Sequence, residues 1–185
     1  MKLRYFAVAA TAIMAAACSP KAPSDPLEAS LNAAIAEQVG ADAKISLNCF
    51  ARTDSVTFAQ LLAARRKAFE VKLAQDTKYY EKYKSQNMVN NAKKHQDAIA
   101  RTKAILADFA KLEAGLAGRM EEIAYYDCAF SGQAQTASGT VALDGYNAVV
   151  TPAGQVMAIQ AGTKGIHQGL GKLIPGYTEL IKGEE

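Results

Sequence analysis

Residues 57–120 read TFAQLLAARRKAFEVKLAQDTKYYEKYKSQNMVNNAKKHQDAIARTKAILADFAKLEAGLAGRM. The stretch has no Pro, no Cys and no Gly before Gly115, so nothing in its first fifty-odd positions forces the chain out of a helix. Thr57 followed by Gln60 has the form of a capping box. Phe58, Leu61, Leu62, Phe69, Leu73, Tyr80 and Tyr83 fall within one helical stripe, and Ile99, Leu106, Phe109, Leu112, Leu116 and Met120 form a second. Between the stripes, Ser85-Gln86-Asn87 and Asn90-Asn91 are polar and weak in helix propensity, which is where a chain can reverse. The pattern predicts two helices of about 28 residues, each ~42 Å long, packed as an antiparallel hairpin; one continuous helix of ~95 Å is the alternative.

On both sides of this stretch the hydrophobic period changes to two. Ile45, Leu47 and Cys49 alternate with Ser46 and Asn48, which reads as a half-buried strand over residues 43–51. After the helices, residues 122–130, 140–143, 146–150 and 155–160 read as further strands, with Asp144-Gly145 carrying the signal of a two-residue hairpin turn. Ahead of the first strand, Asp25-Pro26-Leu27-Glu28 supplies a cap, Pro at the first helical position and an early acid. Leu27, Leu31, Ile35 and Val39 then repeat every four residues up to Gly40. The expected fold class is α+β: a mostly antiparallel sheet of about five strands, a long helical hairpin inserted between strands one and two, and a short N-terminal helix. The tail from residue 162 holds six glycines and one plausible helical turn at 177–181.

Composition agrees with one folded domain over residues 27–185, the hairpin occupying 57–120. The chain has 185 residues, of which 50% are hydrophobic and 21% charged, too apolar for a disordered chain and too short for two large cores. Thirty-seven residues are Ala, which favours helix.

The first residues, Met1-Lys2-Leu3-Arg4, are followed by a mostly apolar run to Ala17 and then Cys18-Ser19-Pro20. The apolar run is shorter than the ~20 residues that a membrane span needs and has the layout of a signal peptide over residues 1–17. Ala15-Ala16-Ala17 before Cys18 resembles the lipobox of bacterial lipoproteins, with Ala15 where that family usually has Leu. The resemblance implies that Cys18 becomes the lipid anchor, acylated with palmitate or a similar chain. Ser19 after it implies forwarding to the outer membrane, with the domain facing the periplasm. An ordinary signal peptidase acting on the same Ala-x-Ala would instead leave Cys18 a thiol. Residues 18–26, with three prolines, read as an extended tether of ~25 Å.

Removal of the leader takes away Lys2 and Arg4, leaving 19 basic against 18 acidic residues. That balance predicts no nucleic-acid partner. Charge is segregated, however: from Thr57 to Lys111 there are twelve basic and five acidic residues, so the hairpin carries +7 and the rest of the mature chain about −6. Lys78-Tyr79-Tyr80-Glu81-Lys82-Tyr83-Lys84 lies near the expected turn. Interleaved Lys and Tyr can neutralise and stack on an anionic partner, so Lys78, Tyr79, Lys82, Tyr83 and Lys84 form the candidate binding surface. The competing reading is a solvated helix face with partly buried tyrosines.

Cys49 and Cys128 lie in strands on either side of the hairpin. In an exported chain they are expected to pair, closing a loop of about 80 residues worth ~4.5 kcal/mol in the chain-entropy account. Catalytic signals are sparse. His95 sits among Lys93, Lys94, Gln96 and Asp97 and reads as a solvated face; His167 sits in the glycine-rich loop 165–171. Neither has metal-ligand spacing, there is no Gly-x-Ser-x-Gly elbow, and Gly171-Lys172 lacks the P-loop pattern. No catalytic residue, metal or cofactor is expected, and Glu121 or Glu122 with Asp127 is only a chance carboxylate pairing.

The expected function is therefore that of an outer-membrane lipoprotein, held to the membrane by its lipid and acting as a non-enzymatic binding or envelope-organising module. Its partner would be an envelope protein or an anionic envelope polymer. An inhibitor or immunity-type protein blocking a secreted enzyme is the alternative, and an envelope hydrolase the second. A pocket that sets His167 beside two acids or hydroxyls would favour the hydrolase.

Overall fold

A computed structural model describes residues 25–182. The leader, Cys18 and most of the tether lie outside the described residues. The chain is mixed helix and sheet, with the helical hairpin between the first two strands of a five-stranded antiparallel sheet. It divides into two compact units, one running up to Ser55 and resuming at Tyr125–His167, the other formed by Val56–Ala124 and the residues from Gln168 onward.

The first unit begins with α1 (Pro26–Val39). Asp25 caps it by accepting the Leu27 N–H at 2.9 Å, and Pro26 fills the first position, where no amide donor is needed. Leu27, Leu31 and Ile35 are buried, as their spacing requires, and pack in one core cluster with Leu47, Cys128, Phe130, Ala134, Leu143, Ala148 and Val150. The strands are β1 (Lys44–Thr57), β2 (Ile123–Thr136), β3 (Gly139–Ala142), β4 (Tyr146–Val150) and β5 (Val156–Ala161). Their order is β1-β2-β4-β5, with β3 also on β2.

The Asp144-Gly145 hairpin is corrected by this topology. β3 and β4 do not pair with each other; both pair antiparallel with β2. Gln133 faces Ala142 and Phe130 faces Tyr146, so the two β2 residues 131 and 132 stand opposite the three residues 143–145. Asp144-Gly145 is therefore a bulge, with Gly145 at φ +70° supplying the left-handed residue. The tight turn is instead at Ala137-Ser138, since Thr136 faces Gly139. A left-handed Gly after Asp serves both motifs, and only pairing partners tell them apart.

β1 and β2 also outrun their alternating segments, reaching Thr57 and Thr136. At Gly132 an added Cβ would overlap the Ser46 carbonyl oxygen and lie 2.8 Å from Leu47 Cα. Only glycine lets the two backbones come this close.

The second unit is built on α2 (Phe58–Ser85) and α3 (Val89–Gly115). Both halves of the expected capping box form: Gln60 N–H reaches the Thr57 hydroxyl at 3.3 Å and the Gln60 side chain accepts the Thr57 N–H at 2.9 Å. The chain reverses at residues 86–88, where Asn87 adopts φ +54° and the Met88 N–H bonds Tyr83 O at 2.9 Å. Asn90 and Asn91 are inside α3 rather than in the turn. After Gly115 the helix ends in a series of turns, and Phe58 N–H and Ala59 N–H bond the Glu122 and Met120 carbonyls.

Phe58, Leu61 and Leu62 are buried, as are Ile105, Phe109 and Leu112 on α3. Past Leu62, α2 has no fully buried residue. Phe69 meets Phe109 edge-on at 5.9 Å, and Arg66 reaches Glu113 at 3.1 Å. The glycine-rich tail forms a 3-10 turn at Leu170–Leu173 and the short α4 (Tyr177–Leu180), packed on α2 and α3 respectively, with Leu170, Ile174 and Tyr177 buried.

Candidate functional site

The sequence marked the end of α2 as a binding surface. Lys78, Lys82 and Lys84 are exposed there, and Lys82 and Lys84 occupy the last helical turn, where positive charge offsets the carbonyl end of the helix dipole. Lys82 lies 5.8 Å over the Tyr83 ring and Lys84 5.6 Å over the Tyr80 ring. The two candidate tyrosines differ. Tyr79 is 36% exposed, whereas Tyr83 is half-buried because it packs across the hairpin.

What Tyr83 packs against is His95, which corrects the solvated-face reading of that histidine. The His95 ring stacks on Tyr79 at 5.3 Å and on Tyr83 at 5.5 Å, and its Nδ1 lies 2.8 Å from Asp76 Oδ1. Side-chain exposure is only 21% for His95 and 14% for Asp76. An ionised carboxylate can only accept, so Nδ1 carries the proton in this pair. The neighbours of His95 in sequence are charged, but its partners come from the facing helix, 12, 16 and 19 residues earlier.

From Lys82 to Gln96 the chain has four lysines and no acid. Met88 and Val89 stand at the turn between them, 43% and 74% exposed. Beside them lies an open cleft of about 370 Å³, lined by Tyr80, Lys84, Met88, Val89, Ala92 and Lys93 among others. α3 begins here with no side-chain cap and no acid in its first turn.

A second constellation lies in the sheet unit. His167 Nε2 is 2.8 Å from Asp127 Oδ1, and the Tyr125 ring lies 5.7 Å from the imidazole. Asp127 stands on β2, held in register opposite Val149. Its carbonyl accepts the Thr53 hydroxyl at 3.1 Å. The loop after β5 turns through Gly162 and Gly165, both at positive φ, and buried Ile166 fastens it so that His167 meets the sheet. Thr53, Asp54, Asn147 and Thr163 share a cleft of about 120 Å³ with this pair. Sequence reasoning singled out His167 but not its partner, which is 40 residues away.

Cys49 and Cys128 lie on the adjacent strands β1 and β2, and the structure contains no disulfide between them. Burial pushes the Cys128 thiol up to about 11, so it is not a nucleophile at neutral pH. Among the described residues no three His, Cys, Asp or Glu side chains converge as a metal-binding group, and no helix is long and apolar enough to cross a membrane. Comparison with known proteins finds no matching family model, no similar curated protein and no similar solved structure.

Proposed function

We propose that the protein is an outer-membrane-anchored periplasmic lipoprotein whose basic, Tyr-rich helical hairpin is a non-enzymatic binding module. The anchor rests on the lipobox resemblance at Cys18, and a Cys49–Cys128 disulfide is part of the proposal because the two cysteines stand on neighbouring strands of an exported chain. The observation that carries the binding role is the segregation of charge: Lys78, Lys82 and Lys84 are exposed at one end of a hairpin of charge +7, and no acid interrupts residues 82–96. Such a surface attracts an anionic envelope partner over roughly a Debye length, ~8 Å at physiological ionic strength. Replacing Lys78, Lys82 and Lys84 together by Gln is expected to weaken capture of the partner at low salt. Equal capture by both proteins refutes the contact.

The Asp127–His167 pair supports a second reading, an envelope hydrolase. Asp127 orients the His167 imidazole through Nε2, and Thr53 and Thr163 offer hydroxyls in the same cleft, which makes His167 the candidate general base. Assay of the full chain on chromogenic esters decides it: hydrolysis that falls by ~10²–10⁴ in His167→Gln supports general-base chemistry, and hydrolysis absent or unchanged in that variant removes it.

A further inference from the structure

We propose that the turn end of the α2–α3 hairpin inserts into an anionic lipid surface, Met88 and Val89 entering the headgroup–acyl boundary while Lys84 and Lys93 take lipid phosphates. The assignment rests on the binding role proposed for the hairpin and names its partner.

Four observations meet at this end. Among the described residues the exposed large hydrophobics are Val71, Tyr79, Met88 and Val89, all of them on the hairpin, and the last two are adjacent at its turn. Lys82, Lys84, Lys93 and Lys94 flank them with no acid between. The cleft of about 370 Å³ has apolar walls from Tyr80, Met88 and Ala92 and lysines at Lys84 and Lys93. The start of α3, where backbone N–H groups favour an anion, has neither a side-chain cap nor an acid.

An apolar tip ringed by cations fits a lipid interface better than a protein. Two exposed apolar side chains and a small cleft fall far short of the ~800 Å² per partner that a stable protein interface buries. In a bilayer the same two side chains need only reach ~5–10 Å below the headgroups, and each lysine near an anionic surface adds about fivefold in affinity. The existing partners of these lysines are weak competitors. Lys93 meets Asp97 at 3.3 Å in an exposed pair, and Lys84 lies over Tyr80.

The chain contains no Trp, so Val89→Trp makes a single emission reporter at the tip that is blind to any lipid bound through the anchor or leader. The test adds phosphatidylglycerol vesicles, and separately phosphatidylcholine vesicles, to the full chain bearing Val89→Trp. A blue shift confined to phosphatidylglycerol is expected, and Lys84→Gln with Lys93→Gln should raise the lipid concentration at half-shift by roughly twentyfold. Val71→Trp, in α2 away from the turn and 56% exposed, should not shift. Met88→Trp is the second tip reporter if the first loses helicity. Unmoved tip emission, an equal shift on neutral vesicles, or an equal shift at position 71 overturns the proposal. If tip emission is unmoved while the triple Lys→Gln variant still loses partner capture, the binding role stands and the lipid assignment falls; if neither responds, both fall.

Discussion

Arg52 grips Asp25 with two nitrogens, Nε to Oδ2 and Nη2 to Oδ1, each at 2.7 Å, while the same Oδ1 accepts the Leu27 N–H that opens α1. One carboxylate thus caps a helix and ties it to β1. The guanidinium holds the Asp25 carboxyl below its ordinary 3.8, with the Leu27 amide acting in the same direction and burial opposing both. A depressed carboxyl stabilises the fold above the unfolded value and loses that contribution as pH falls through the folded value. Asp25→Ala is expected to cost about 1–2 kcal/mol near pH 7, combining a lost cap with a partly exposed ion pair. Denaturant unfolding at pH 7 and pH 3 checks it, the difference from wild type shrinking at the lower pH.

Cys128 makes a redox prediction. In the reduced, folded protein its raised thiol should resist alkylation at pH 8, and stability should fall as pH rises from 9 towards about 11, since the unfolded thiol ionises first. In protein exported to an oxidising compartment, peptide mapping without reductant should link Cys49 to Cys128, and Cys49→Ser should then cost ~2–4 kcal/mol. A map that yields both peptides alkylated sinks the disulfide.

Gly132 is expected to tolerate no side chain. Because its Cβ would meet the Ser46 and Leu47 backbone rather than a movable side chain, Gly132→Ala should destabilise by roughly 3 kcal/mol or more. Gly118, whose Cβ would meet nothing within 4 Å but whose φ is +82°, should cost only about 1 kcal/mol on the same substitution. Equal melting temperatures for the two variants would contradict the close β1–β2 approach.

The elements that were legible from sequence are those with local physical causes. Asp25-Pro26 and Gly40 bound α1 where the caps placed it, and Thr57, Gln60 and the polar run at 85–87 delimited the hairpin. What was not legible depends on partners distant in the chain. Arg52, Thr53, Asp54 and Ser55 show no alternation, yet they are strand because β1 pairs along β2. The Asp144-Gly145 bulge depends on what β3 and β4 pair with. The histidines follow the same logic: a charged sequence neighbourhood hid the partners of His95, and a glycine-rich loop hid those of His167.

His95 should therefore behave as a packing residue of the hairpin. His95→Ala removes two ring contacts and leaves the Asp76 carboxylate, 14% exposed, without its imidazole partner. The expected loss is about 1–3 kcal/mol, read by chemical denaturation of the full chain. His95→Phe separates the causes, since it keeps a ring between Tyr79 and Tyr83 but offers Asp76 no donor. An intermediate stability is expected. Stability equal to wild type would assign the whole effect to stacking, and stability equal to His95→Ala would assign it to the Asp76 bond. If His95→Ala itself changes nothing, the imidazole is a surface group and not part of the hairpin packing.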